Sequence, residues 1–378
     1  MEFTISSTVF LRHLQQINSV VPTSTSLQIL EHVLITVKDN QLYLKASDID
    51  NTLSLNISLE ASETEGSTTV PAKLLLDILK NIGNQNISIK TDDNFVTEIT
   101  SSYGVHKIAG NNPVDFPKSI EFENESSFSI PALDFLKGIN NSMYCSGQDE
   151  LRPAMLGVYT QISPDGLIFV ATDSHRLVKY TRKNITSTTK QAFILPKKPS
   201  QILKTILNNE QSLKIEFSTK NIRFEMEGMV LTSKLIDAKY PNFEAVIPQN
   251  NPYLLEVNRL DLFGAVKRTA LFSNKNTSQI KFQIASNTLT LSAQDLDYGN
   301  AAEEKLSCAF NGEEIEIAFN AKFLIEMLSN LSSTDIEIQL SAPNRAGLIT
   351  EVIENHNEET EKEHLLMLVM PVMIPSYA

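Results

Sequence analysis

Residues 42–48 read LYLKASD, residues 167–173 read LIFVATD and residues 289–295 read LTLSAQD. Each is a strand pattern closing on Ala-x-Asp, and in the first Leu42, Leu44 and Ala46 alternate against polar neighbours. The alanines Ala46, Ala171 and Ala293 stand 125 and 122 residues apart. A second landmark keeps the same order: Phe3-Thr4-Ile5 runs into STVFLRHLQQI, Phe128-Ser129-Ile130 into PALDFLKGI, and Leu255-Glu256-Val257 into NRLDLFGAVKRTA. The third is a strand turning into an amphipathic helix: TTVPAKLLLDILKNI, FILPKKPSQILKTIL and IAFNAKFLIEMLSNL, anchored at Pro71, Pro196 and Asn320. Three markers recurring in one order at one period define a threefold internal repeat.

Each repeat reads as strand, helix, several strands, helix and further strands. Helical spacing groups Leu74, Leu75, Ile78 and Leu79 on one face and Lys73, Asp77 and Lys80 on the other, and the prolines suit a first helical turn. The expected fold class is α+β, with three structurally similar domains, each two helices on antiparallel sheets. Polar stretches at IEFENES and IPQNNPY put the domains at residues 1–122, 123–250 and 251–378. The acidic stretch at 354–363 reads as a solvated loop inserted in the third repeat.

Hydrophobic residues make up 42% and charged residues 20% of the 378, enough apolar surface for several cores. The N-terminal MEFTISSTVFLRHLQQI lacks the basic start and apolar block of a secretory signal, and no stretch has the length of a membrane span. Cys145 and Cys308 lie far apart without CxxC spacing, and His13, His32, His106, His356 and His364 show no ligand spacing. A cytoplasmic protein without metal or cofactor is expected. Asp173, Ser174 and His175 supply the residue types of a hydrolytic triad, but neighbours on a strand point to opposite faces, and no GxSxG, HExxH or GxxxxGK motif accompanies them. No catalytic residues are expected.

A net charge of −13 argues against a nucleic-acid binder until its distribution is counted. The six predicted helices, at 7–21, 71–83, 131–145, 196–208, 257–272 and 320–332, together carry +7, which leaves −20 on everything else. Mildly basic helices facing a polyanion, with an acidic remainder, would give weak, salt-sensitive and sequence-independent attraction.

Four segments carry a family resemblance along the whole chain. ATDSHRL at 171–177, SKLIDAKYPNF at 233–243, VMPVM at 369–373 and NNPVDFP at 111–117 resemble, in order and position, motifs of the bacterial DNA sliding clamps, the beta subunits of DNA polymerase III. The resemblance implies the DNA-clamp fold and a head-to-tail homodimeric ring around duplex DNA, held without sequence preference in the cytoplasm at the nucleoid. It implies dimer contacts at Tyr103, His106, Ile108, Leu271 and Phe272. It implies DNA-facing Arg12, Lys73, Lys80, Gln148, Lys197, Lys198, Lys204, Lys267 and Arg268. It also implies a pocket for short motifs of the replicative polymerase, the clamp loader and other partners, lined by Met155, Thr172, His175, Arg176, Leu177, Pro241, Val246, Val369, Met370, Pro371 and Val372. The chain departs from the family pattern at Ser24, Ser174 and Ala245, and in ending MIPSYA. A repeat-built binding or adhesion protein is the rival reading; it predicts a secretory signal or disulfides.

Overall fold

The computed structural model describes residues 1–120, 122, 126–353 and 362–374, so the acidic stretch at 354–363 lies almost wholly outside the described residues. Six α-helices stand among them: α1 (Ser7–Ile17), α2 (Ala72–Ile82), α3 (Ala132–Ser142), α4 (Lys197–Ile206), α5 (Arg259–Ala270) and α6 (Ala321–Ser329). Each falls inside a predicted helix and is a few residues shorter. Pro71 and Pro196 close the preceding strands, and Asn320 caps α6 by accepting the Lys322 and Phe323 N–H groups.

The chain forms two compact units: Met1–Leu136 with Lys198–Leu235, and Lys137–Lys197 with Ile236–Ala378. Strands of successive repeats pair with each other across the expected domain boundaries. In the first unit the strand Met229–Lys234 pairs with Asn51–Ser58, opposing Leu231 to Leu53 and Thr232 to Thr52. One antiparallel sheet results, ordered Ser126–Pro131, Ser212–Phe217, Asn221–Met226, Met229–Lys234, Asn51–Ser58, Gln41–Ser47, His32–Lys38 and Gly66–Pro71. A smaller sheet of the same unit runs Ser62–Thr64, Glu2–Ser6, Asn86–Thr91, Val96–Ser101, Gly104–Ala109, and ends on the last of these.

The core of this unit follows the period-2 pattern: Leu42, Leu44 and Ala46 are fully buried beneath α1 and α2, which pack on each other. Phe3 and Phe10 meet edge to face at 6.5 Å. On α2 the buried stripe is Ala72, Leu75, Leu76, Leu79 and Ile82. Leu74 and Ile78, assigned to that face from the sequence, stand outside it, with Leu74 48% exposed. The helix carries more apolar residues than one stripe accommodates.

The second unit repeats the device. Strand Arg176–Arg182 pairs with Glu363–Val369 inside a sheet ordered Gln191–Pro196, Gly157–Ser163, Gly166–Thr172, Arg176–Arg182, Glu363–Val369, Gly347–Glu351, Asp335–Leu340, Tyr253–Asn258 and Ala309–Phe310. A smaller sheet runs Asn300–Ser307, Thr288–Asp295, Gln279–Ala285 and Ile315–Asn320. Glycine lets α3 approach its sheet: a Cβ at Gly138 would lie 2.2 Å from the Phe169 ring. Gly138→Ala should therefore cost about 1–3 kcal/mol by overpacking, although alanine is the better helix former. A urea midpoint equal to or above that of the parent chain would contradict this close approach.

Candidate functional site

The register of the second large sheet assembles an apolar floor from three distant segments. Thr172 opposes Leu177, Leu177 opposes Leu368, and Leu368 opposes Leu348, and opposed residues of antiparallel neighbours share a face. Val170 lies two residues from Thr172 on the same face. Val170, Leu177, Ile247, Ala346, Leu348 and Leu368 form one buried cluster, against which Tyr159, Ile168, Tyr240, Phe243 and Leu366 pack half-buried. Tyr240 donates its hydroxyl to the Val170 carbonyl at 3.2 Å and stacks on Tyr159 at 4.8 Å. Burial is the main cause holding its phenol well above the usual tyrosine range, so it stays protonated as that donor.

Exposed apolar residues stand on the flanking segments: Val246 at the end of the turn Phe243–Val246, 56% exposed, and Met370 just after the last strand, 40% exposed. Backbone bonds fix that C-terminal segment. Met370 N–H donates to the His175 carbonyl at 2.8 Å and Val372 N–H to the Ala318 carbonyl at 2.7 Å. Pro371 and Val372 are half-buried, Pro241 and His175 exposed, and Met155 half-buried with its carbonyl accepting from Gly147 N–H at 2.7 Å.

Two expected lining residues face the other way. Arg176 opposes Val369, so both lie on the face opposite Leu177 and Leu368, and both are buried. One residue's shift along a strand reverses the face, and it is Leu368 and Leu366, not Val369, that share the face of Leu177. Arg176 instead holds the framework. Its guanidinium donates to Asp173 at 3.0 Å, Glu326 at 2.6 Å and the Tyr144 carbonyl at 3.2 Å, and lies 4.6 Å from the Phe323 ring centroid. Beside it burial pushes the Cys145 thiol up to about 12, which keeps that sulfur protonated and unreactive. Asp173 also accepts the His175 and Arg176 N–H groups, while Ser174 Oγ accepts from Arg152, so Asp173, Ser174 and His175 form a turn and not a triad. Ser174 takes φ +74°, a conformation in which glycine is unstrained.

The corresponding face in the first unit has a different composition. Counting the same period and pairing there, Val170, Leu177, Leu368 and Leu348 correspond to Lys45, Thr52, Thr232 and Arg223. Four aliphatic positions are replaced there by two hydroxyls and two cations.

Family models of the N-terminal, central and C-terminal domains of the DNA polymerase III beta subunit match residues 1–120, 129–242 and 244–367 in that order. The chain belongs to this family. It is similar to a beta sliding clamp of Vibrio cholerae, 26% identical over 375 residues that cover 99% of this chain and 100% of the relative. Among solved structures it is similar to a sliding clamp of Pseudomonas aeruginosa bound to griselimycin (28% identity, TM-score 0.92) and to one of Bartonella birtlesii, also with griselimycin (28%, 0.90). Each pairing covers 99% of this chain and 100% of the other. The beta subunit is a DNA sliding clamp and not an enzyme, and it acts on DNA in the cell interior.

Clamp subunits need basic surface, and the basic residues singled out from the sequence divide into engaged and free. Lys197 donates to the Ser146 and Gly147 carbonyls at 3.0 and 2.8 Å, and burial, helped by Arg176, lowers its pKa. Lys198 donates to the Val20 carbonyl at 3.3 Å and pairs with Asp48. Arg268 is held by both Glu304 oxygens at 2.8 and 2.5 Å, and Lys80 lies 3.7 Å from Asp77. Arg12, Lys73, Lys204 and Lys267 are exposed and make no ion pair among the described residues, and Gln148 is exposed. A charge count could not separate Lys197, Lys198 and Arg268 from the others, because their partners lie far away in sequence.

The expected dimer residues also divide. Tyr103 is 80% exposed and His106 exposed on the edge strand Gly104–Ala109 and its turn, whereas Ile108 is 2% exposed and belongs to its own core. Leu271 and Phe272, just past α5, are 81% and 40% exposed. Sequence reasoning missed the cleft beside that edge strand, about 410 Å³, lined by Asp77, Ile78, Asn81, Ile82, Tyr103 and His106. Its signal was the surplus apolar residue on α2, Ile78.

Proposed function

We propose that two copies of this chain close head to tail into a ring around duplex DNA, and that the apolar floor receives short peptide segments of the replicative polymerase, the clamp loader and other partners. The observation that carries the ring is the pair of free sheet edges, Gly104–Ala109 in one small sheet and Asn300–Ser307 in the other. Pairing them between copies satisfies both rows of backbone groups, and a heterologous contact whose rotation closes makes a ring. Leu271 and Phe272 of one copy then enter the Ile78, Ile82 and Tyr103 cleft of the next. The free cations Arg12, Lys73, Lys204 and Lys267 supply sparse phosphate contacts, which permits sliding and places the protein at the nucleoid.

Retention on DNA tests this reading. Loaded onto a nicked circle, the protein should co-elute with DNA in gel filtration and dissociate once the circle is linearised. Arg12→Glu with Lys73→Glu and Lys204→Glu should shorten retention and lower the salt slope by up to about three contacts, leaving dimerisation intact. Equal loss from circular and linear DNA would refute a topological link.

A further inference from the structure

The aromatic rim of the partner site continues into a second cavity. Tyr159, Ile168, Tyr240 and Phe243 pack on the apolar cluster, and the same four residues line an adjoining cavity of about 420 Å³. Apart from Pro241, its remaining walls are polar and charged: Gln161, Lys190, Lys239, Asn242 and Glu244. The rings form a connected floor, with Tyr159 to Phe243 at 5.8 Å and Tyr240 to Phe243 at 6.3 Å.

The charges around this floor are unevenly committed. Glu244 is neutralised by Lys179, whose ammonium lies 2.6 Å from its carboxylate and 5.7 Å from the Phe243 ring centroid. Lys190 and Lys239 are exposed and make no ion pair among the described residues. In a chain of net charge −13, this wall is locally positive and continuous with the apolar floor.

We infer that this cavity is a specificity subsite for acidic residues flanking the apolar anchors of a partner peptide, read by Lys190 and Lys239 on the wall it shares with Tyr159, Tyr240 and Phe243. The inference rests on the partner-binding reading of the adjoining cluster. A carboxylate there gains two cations that make no ion pair among the described residues, while the aliphatic stem beside it covers ring surface. Neutral flanks gain only the second of these. Basic flanks meet two like charges, so the subsite discriminates by repulsion as well as attraction.

Three fluorescein-labelled peptides with the same two apolar anchors test it: one with glutamates before the anchors, one with glutamates after them, and one with serines at both ends. One acidic peptide should bind the whole protein about three- to tenfold more tightly than the serine peptide at low salt, the size that two exposed ion pairs supply, and the advantage should shrink as salt rises. Lys190→Glu with Lys239→Glu should abolish or reverse that preference while changing serine-peptide affinity less than twofold. If both acidic peptides bind the parent protein no better than the serine peptide, or if the double variant keeps the preference, the subsite is refuted while the partner site stands. Leu368→Ser tests the underlying reading separately: it should weaken all three peptides alike, and unchanged affinities would refute the partner site itself.

Discussion

A chain carrying Leu271→Asp and Phe272→Asp is expected to sediment as a monomer at concentrations where the parent chain is a dimer. Both side chains are exposed in the isolated protomer, so their replacement leaves its cores intact. Burying them between copies contributes about 1.5–3 kcal/mol each, and a carboxylate in their place would have to be desolvated without a partner. A loss of roughly 3–6 kcal/mol weakens the dimer about a hundred- to ten-thousandfold. Ile78→Asp, in the opposing cleft, should do the same from the other side. Sedimentation velocity decides: dimers persisting in both variants would put the contact elsewhere.

Ending the chain after Val369 should abolish most peptide binding while sparing the ring. The last strand ends at Val369, so no sheet pairing is lost. What disappears is Met370, 40% exposed beside the floor, and the backbone bonds that Met370 and Val372 make to His175 and Ala318. One flexible apolar wall of that size accounts for about 1.5–3 kcal/mol, hence roughly a ten- to hundredfold weaker peptide affinity. Fluorescence anisotropy beside sedimentation separates the two effects; unchanged anisotropy would remove the C-terminal segment from the site.

Much of the fold was legible because it rests on short-range periodicity. Leu42, Leu44 and Ala46 alternate and are buried, and all six helices fall where a 3.6-residue pattern begins after a strand. What failed depended on pairing between distant segments. VMPVM carries no register, so Val369 was taken for a lining residue when its neighbour Leu368 occupies that face. The resemblance implied Arg176 as a lining cation, and its bond to Glu326, 150 residues away, was not legible in the sequence. Lys197 and Lys198 looked free for the same reason, their acceptors lying 50 and 178 residues off. Two rings of the aromatic rim, Tyr240 and Phe243, lie inside the quoted SKLIDAKYPNF segment, but the third, Tyr159, belongs to a strand with no motif of its own, so their meeting was not legible.

The strand pairing of Met229–Lys234 with Asn51–Ser58 makes the sequence repeat a poor place to cut the protein. A fragment ending near residue 122 would hold every strand of the first repeat, yet Asn51–Ser58 would lose its outer neighbour and display a bare row of amide and carbonyl groups. Bare edges of this kind recruit other chains. The single repeat, expressed alone, would be self-associating, which makes the smallest well-behaved fragment larger than the unit that was duplicated.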